Sequence, residues 1–174
     1  YSFNLMLRNF RQSLSSTAQI YTEQISGKVD KINSGSLELV SLAASSQNYY
    51  TSSPLGRYLT QQDILTRLQD RIRYVESSDL YFFYRTDSDE LLTALSNRAS
   101  TGSSYFWNQY LMLPPTQPAN TWFSVTCNGE TWLMCYYNVS QVRVGAAVRA
   151  KTLLQSLYAD TGLVQDSGFA LAGL

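Results

Sequence analysis

From Leu14 an apolar stripe runs through Ala18, Tyr21, Ile25, Ile32, Leu39 and Leu42, at spacings of three, four and seven residues. That period keeps side chains on one face of a helix. It predicts one long N-terminal helix from about residue 4 to about residue 47, roughly 65 Å at 1.5 Å per residue. Such a helix is longer than the body of a domain of this size, so part of it projects. Gly27 and Gly35 each weaken it by about 1 kcal/mol relative to Ala, and Lys28 falls on the seam. A kink fits this pattern. So does packing on the chain's own sheet alone, and so does a dimer-forming stalk.

After Ser52-Ser53-Pro54 the pattern restarts. Thr60 and Asp63 form a capping-box-like start for a second helix, with Ile64, Leu65, Leu68, Ile72 and Val75 on one side. The period then changes to that of strands. Leu80 to Arg85 is apolar on both faces and must be covered on both. Asp87-Ser88-Asp89 turns into a shorter strand at Leu91 to Ala94. Small polar residues at Ser100 to Ser104 precede the aromatic run Tyr105-Phe106-Trp107-Asn108-Gln109-Tyr110, and Pro114, Pro115 and Pro118 close it, which predicts a short helix and an extended loop. Trp122 to Cys127 and Glu130 to Asn138 flank Asn128-Gly129, the strongest short-range hairpin signal. A fifth strand at Val142 to Val148, a helix at Lys151 to Tyr158 and a last strand at Phe169 to Leu171 complete the order. The fold class is α+β: a long N-terminal helix and a second helix packed on an antiparallel sheet of five to six strands. Residues 1–55 form the long helix and 56–174 the domain it belongs with, as a single structural unit.

Composition narrows the function. With 174 residues and 44% hydrophobic content, the chain buries about two thirds of its unfolded surface and needs no metal or disulfide to fold. The hairpin register sets Cys127 and Cys135 about 17 Å apart on opposite faces, against a limit near 7 Å for a bridge, which predicts two free thiols. Thirteen basic and thirteen acidic residues cancel. No basic run is present to neutralise phosphates, so a nucleic-acid partner is not expected. Histidine is absent, which removes the commonest general base and metal ligand. No GxGxxG, P-loop, CxxC, Ser-x-x-Lys or Gly-x-Ser-x-Gly pattern occurs. A catalytic residue, a metal and a cofactor are therefore all unexpected. Asp87, Asp89 and Glu90 read as a solvated turn rather than a calcium loop. Asn138-Val139-Ser140 is a chance glycosylation triplet. No run of about 20 apolar residues and no signal peptide is visible. The abrupt start at Tyr1-Ser2-Phe3 and finish at Ala172-Gly173-Leu174 predict a piece of a longer protein.

The 13 tyrosines exceed what a small core needs, and a ring with a polar tip suits a pocket wall. The candidate ligand-binding residues are Phe83, Arg85, Tyr105, Trp107, Trp132 and Tyr136. Arg85 and Arg143 could each supply a cation to an anionic ligand, although either one alone is better read as a snorkelling strand residue.

The segments Leu80 to Ser88, Tyr105 to Tyr110 and Val144 to Val148, the last followed by Leu153-Leu154 and Leu157, in this element order, resemble the Cache sensor domains. These are the extracellular PAS-like domains of bacterial receptors, among them histidine kinases and membrane-bound AraC-type regulators. The likeness covers nearly the whole chain. It implies a non-catalytic domain outside the cell, membrane spans outside this fragment, a homodimer through the long helix, and a small-molecule ligand or a partner protein. The Arg-Trp-Tyr-Asp signature with which some double-Cache receptors bind amino acids has no match in this sequence, so no ligand is named. A structural rival also lays a long helix on an antiparallel sheet, the pilin-like subunit. Pilins keep the first half of that helix apolar, whereas Arg8, Arg11, Gln12, Gln19, Glu23 and Gln24 interrupt it here.

Overall fold

The structure, a computed structural model, describes residues 2–45, 53–74, 78–99 and 101–161. The chain folds as α1 (Ser2–Ser45), α2 (Pro54–Tyr74), β1 (Leu80–Arg85), β2 (Glu90–Leu95), α3 (Thr101–Met112), β3 (Phe123–Cys127), β4 (Glu130–Val139), β5 (Val142–Arg149) and α4 (Ala150–Thr161). It is the expected α+β arrangement, a long helix and a second helix with a five-stranded antiparallel sheet. The sheet order is β2-β1-β5-β4-β3. The sixth strand expected at Phe169 to Leu171 lies outside the described residues, as does Val75.

α1 is one uninterrupted helix despite its two internal glycines. Gly35 has a packing reason: a Cβ there would collide with the Tyr81 hydroxyl, which donates to the Ile32 carbonyl at 3.2 Å. Burial pushes that hydroxyl up to about 12. α2 begins six residues before the expected Thr60 cap. Ser53 is the N-cap, its Oγ accepting from the Gly56 amide at 3.2 Å, and Pro54 takes the first helical position, where its missing N–H costs nothing. Thr60 lies inside the helix and donates its hydroxyl to the Gly56 carbonyl. The proline starts the helix it was expected to precede.

All six residues of β1 are buried, because both faces of the sheet are covered. Tyr81 and Phe83 point to the α1/α2 layer with Val144, Ala146, Val148, Ile32, Leu39, Ile64 and Leu68. Leu80, Phe82 and Tyr84 point to the α3 side with Trp107, Leu111, Trp132, Met134 and Tyr136. Each fully buried large side chain contributes about 1.5–3 kcal/mol, so the two layers share the stabilisation. Asn128 and Gly129 both hold positive φ, as the two-residue β3–β4 turn requires. Cys127 pairs with Glu130 and Cys135 with Ala146. Both thiols are free and buried.

The stripe on α1 continues toward the N-terminus as Leu14, Phe10, Leu7 and Phe3. Tyr21, Ile32, Leu39 and Ala43 of the same stripe are buried against the domain, whereas Phe3, Phe10 and Leu14 are each more than half exposed.

Candidate functional site

The α3 face of the sheet carries the aromatic cluster. α3 supplies Phe106, Trp107 and Tyr110, with Tyr110 four and three residues beyond the other two and in ring contact with both. Phe106 stacks on Tyr110 at 5.5 Å, and Trp107 meets Trp132 of β4 edge-to-face at 5.1 Å. Both indoles are fully buried, and neither indole N–H has a hydrogen-bond partner among the described residues. Arg149 lies over the Trp132 ring, 6.0 Å from its centroid.

Space opens one turn further on, where α3 ends and the proline loop returns to the sheet. A cavity of about 110 Å³ lies there, walled by Tyr110, Leu111, Pro114, Phe123, Met134, Tyr136 and Arg143. Tyr136 straps the loop: its hydroxyl donates to the Gln117 carbonyl at 2.5 Å, and its own carbonyl accepts from the Asn120 amide at 2.8 Å.

Arg143 enters from β5, on the α3 side with Gly145 and Ala147. Its Nη1 donates to the carbonyls of Leu111 and Leu113, both at 3.1 Å, so it caps the C-terminal end of α3. Its guanidinium carbon lies 5.5 Å from the Tyr84 ring centre and 5.7 Å from that of Tyr136. Burial pulls its pKa down from the ordinary value, and the neighbouring Tyr136 and Tyr84 work against that pull.

Of the six candidate residues, Trp107, Trp132 and Tyr136 meet on this face. Tyr105 belongs to the same helix but is 71% exposed, its hydroxyl accepting from Gln109. Phe83 lies on the opposite face, under α1 and α2. Arg85 shares that opposite face by strand alternation and grips Asp87 with both arms of its fork, Nε to Oδ1 at 3.0 Å and Nη2 to Oδ2 at 2.7 Å. That grip holds the Asp87 carboxyl below its ordinary pKa. Arg143, Tyr110, Met134 and Phe123 complete the cavity. The available signal for Arg143 was its position in the first half of an apolar strand, which does not say which face or which loop it meets.

Among the described residues no cluster of three metal-ligating side chains exists, and no helix is long and apolar enough to cross a membrane. No protein-family model, curated protein or solved structure matches the chain.

Proposed function

We propose that this chain is the extracytoplasmic sensory domain of a bacterial transmembrane receptor of the sensor histidine kinase type. It binds a small ligand on the α3 face of its sheet and passes the state of that site to α1. The observation that carries this reading is on β4. Tyr136 walls the cavity and holds the loop over it. The next residue, Tyr137, points to the other face and donates its hydroxyl to Asn33 Oδ1 of α1 at 2.5 Å. A shift in how the loop seats on Tyr136 therefore reaches the helix through one peptide unit, and a ligand that prefers one seating biases the helix by its differential affinity. The site needs no catalytic group.

The test is a thermal-shift screen against amino acids, small carboxylates, sugars and short peptides, since a ligand of the folded state alone raises its apparent stability. One class is expected to raise Tm, with the shift lost in Tyr136→Ala and kept in Gln62→Ala, a change on the exposed side of α2. A flat response across the panel removes small-molecule sensing and leaves a partner-docking or dimerising module.

α1 supplies the second half of the proposal. Phe3, Leu7, Phe10, Leu14 and Thr17 alternate by four and three residues, the spacing of a coiled-coil seam, and the four apolar ones are exposed. They continue the stripe that the domain itself covers further along. A second copy of the same helix is the occupant that matches this spacing along its whole length. Under mild oxidation Leu14→Cys is expected to form a disulfide-linked dimer at least ten times faster than Gln12→Cys, which faces the other way. Equal rates on a non-reducing gel exclude the paired helix.

A further inference from the structure

We propose that Arg143 anchors a binding site for a small organic anion, a carboxylate with a short apolar tail, in the cavity at the C-terminal end of α3. This deepens the sensing proposal and rests on it.

Three arginines of the sheet are largely buried, and two of them have acids. Arg85 pairs with Asp87 and Arg149 with Asp79. Arg143 is only 9% exposed and makes no ion pair among the described residues, and its buried Nε has no hydrogen-bond partner there. Guanidinium stays protonated in proteins, so this is a desolvated cation with no counter-ion among the described residues, an unfavourable arrangement. The two helix-end carbonyls on Nη1 offset part of it, since a helix C-terminus carries about half a negative charge. The Tyr84 and Tyr136 rings offset a further part. All these contacts are on Nη1 or the ring-facing planes, so they hold the fork still without saturating it. An anion in the cavity would complete the set.

The walls specify the rest of the ligand. A planar carboxylate matches the guanidinium fork. Leu111, Pro114, Phe123 and Met134 offer an apolar lining suited to a hydrocarbon tail and unsuited to a fully hydrated tetrahedral ion. At about 30 Å³ per water in the liquid, the cavity has the space of three to four waters, which limits the ligand to a handful of heavy atoms.

The experiment compares acids with their own amides on the whole chain, at constant ionic strength: acetate with acetamide, propionate with propionamide, and inorganic phosphate as a tail-less anion, read by calorimetric titration and thermal shift. At least one acid is expected to bind ten-fold or more tightly than its amide, to lose that advantage in Arg143→Gln, and to bind more tightly than phosphate. Because the acid and amide comparison uses the native chain, it decides the matter even if Arg143→Gln fails to fold. Acid and amide of equal affinity overturn the anion assignment and leave small-molecule sensing standing. Phosphate as the tightest binder overturns the carboxylate assignment. Ligands found only among sugars, peptides or larger amino acids overturn the inference alone, and no binding by any compound in either panel overturns it together with the sensing proposal.

Discussion

Asp79→Ala is expected to lower the stability of the fold by about 3–5 kcal/mol, the range for removing one partner of a buried ionic network. Asp79 is fully buried just before β1, and its carboxylate joins three other elements. Oδ1 accepts from Ser96 Oγ after β2 at 2.7 Å and from Arg149 Nη2 at 3.3 Å. Oδ2 accepts from Thr152 Oγ1 of α4 at 2.7 Å, from the Arg149 amide at 3.0 Å and from Arg149 Nε at 3.3 Å. Alanine leaves all these donors without their acceptor, and Arg149 without its acid. Urea unfolding of the two proteins measures the difference. A loss below about 1 kcal/mol, the worth of a surface pair, would mean that the network contributes no more than an exposed one.

The same carboxylate gives the fold a pH signature. Burial raises its pKa, but the hydrogen bonds from Thr152, the Arg149 backbone, Ser96 and the Arg149 side chain outweigh burial and hold it below the ordinary value. A group whose folded pKa is depressed contributes stability that is complete above its unfolded pKa, about 3.9 for Asp, and is lost as pH falls through the folded one. The native chain is therefore expected to lose stability on acidification below about pH 4. Asp79→Ala should follow a flatter curve over that window.

Gly145→Ala is expected to destabilise by about 3 kcal/mol, the upper end of the range for overpacking a core. In an ordinary strand this change is mildly stabilising, because glycine loses more conformational freedom on folding. Here Gly145 sits in the central strand β5, opposite Phe82 of β1 and Tyr136 of β4. A Cβ would overlap the Cys135 carbonyl oxygen and lie 2.8 Å from Cε1 of the Phe82 ring. The ring can turn aside; the carbonyl belongs to the ladder and cannot. Hence Phe82→Leu in the same chain should recover only a minor part of the loss. Full recovery in the double-mutant cycle would place the whole conflict on the ring instead.

Periodicity alone delivered the long helix, β1, the Asn128-Gly129 hairpin, β5 and the α+β class, because each rests on a local rule: a 3.6-residue stripe, a run apolar on both faces, or a turn that demands positive φ. The start of α2 was misplaced for a local reason too, since Pro54 is both a helix breaker and a good first residue, and only the Ser53 cap decides between them. Even the free cysteines followed from local rules, through strand register.

The site was less legible. Trp107, Trp132 and Tyr136 were identifiable from the sequence as aromatic residues on neighbouring elements, and they do meet. Phe83 differs from Phe82 and Tyr84 only in parity, and parity becomes a face only when the sheet is covered by particular helices. Arg85 and Arg143 are equivalent in the sequence, each an arginine in an apolar strand. Tertiary structure separated them by giving Arg85 an acid two residues away across a turn and leaving Arg143 against two helix-end carbonyls and a cavity. The donors to Asp79 come from the end of β2, from β5 and from α4, and no local pattern in the sequence joins them. Elements and their order were thus set by the sequence itself, through interactions spanning a few residues. Which charge is neutralised and which stands alone was decided by tertiary structure, because desolvation depends on what packs around a group from distant parts of the chain.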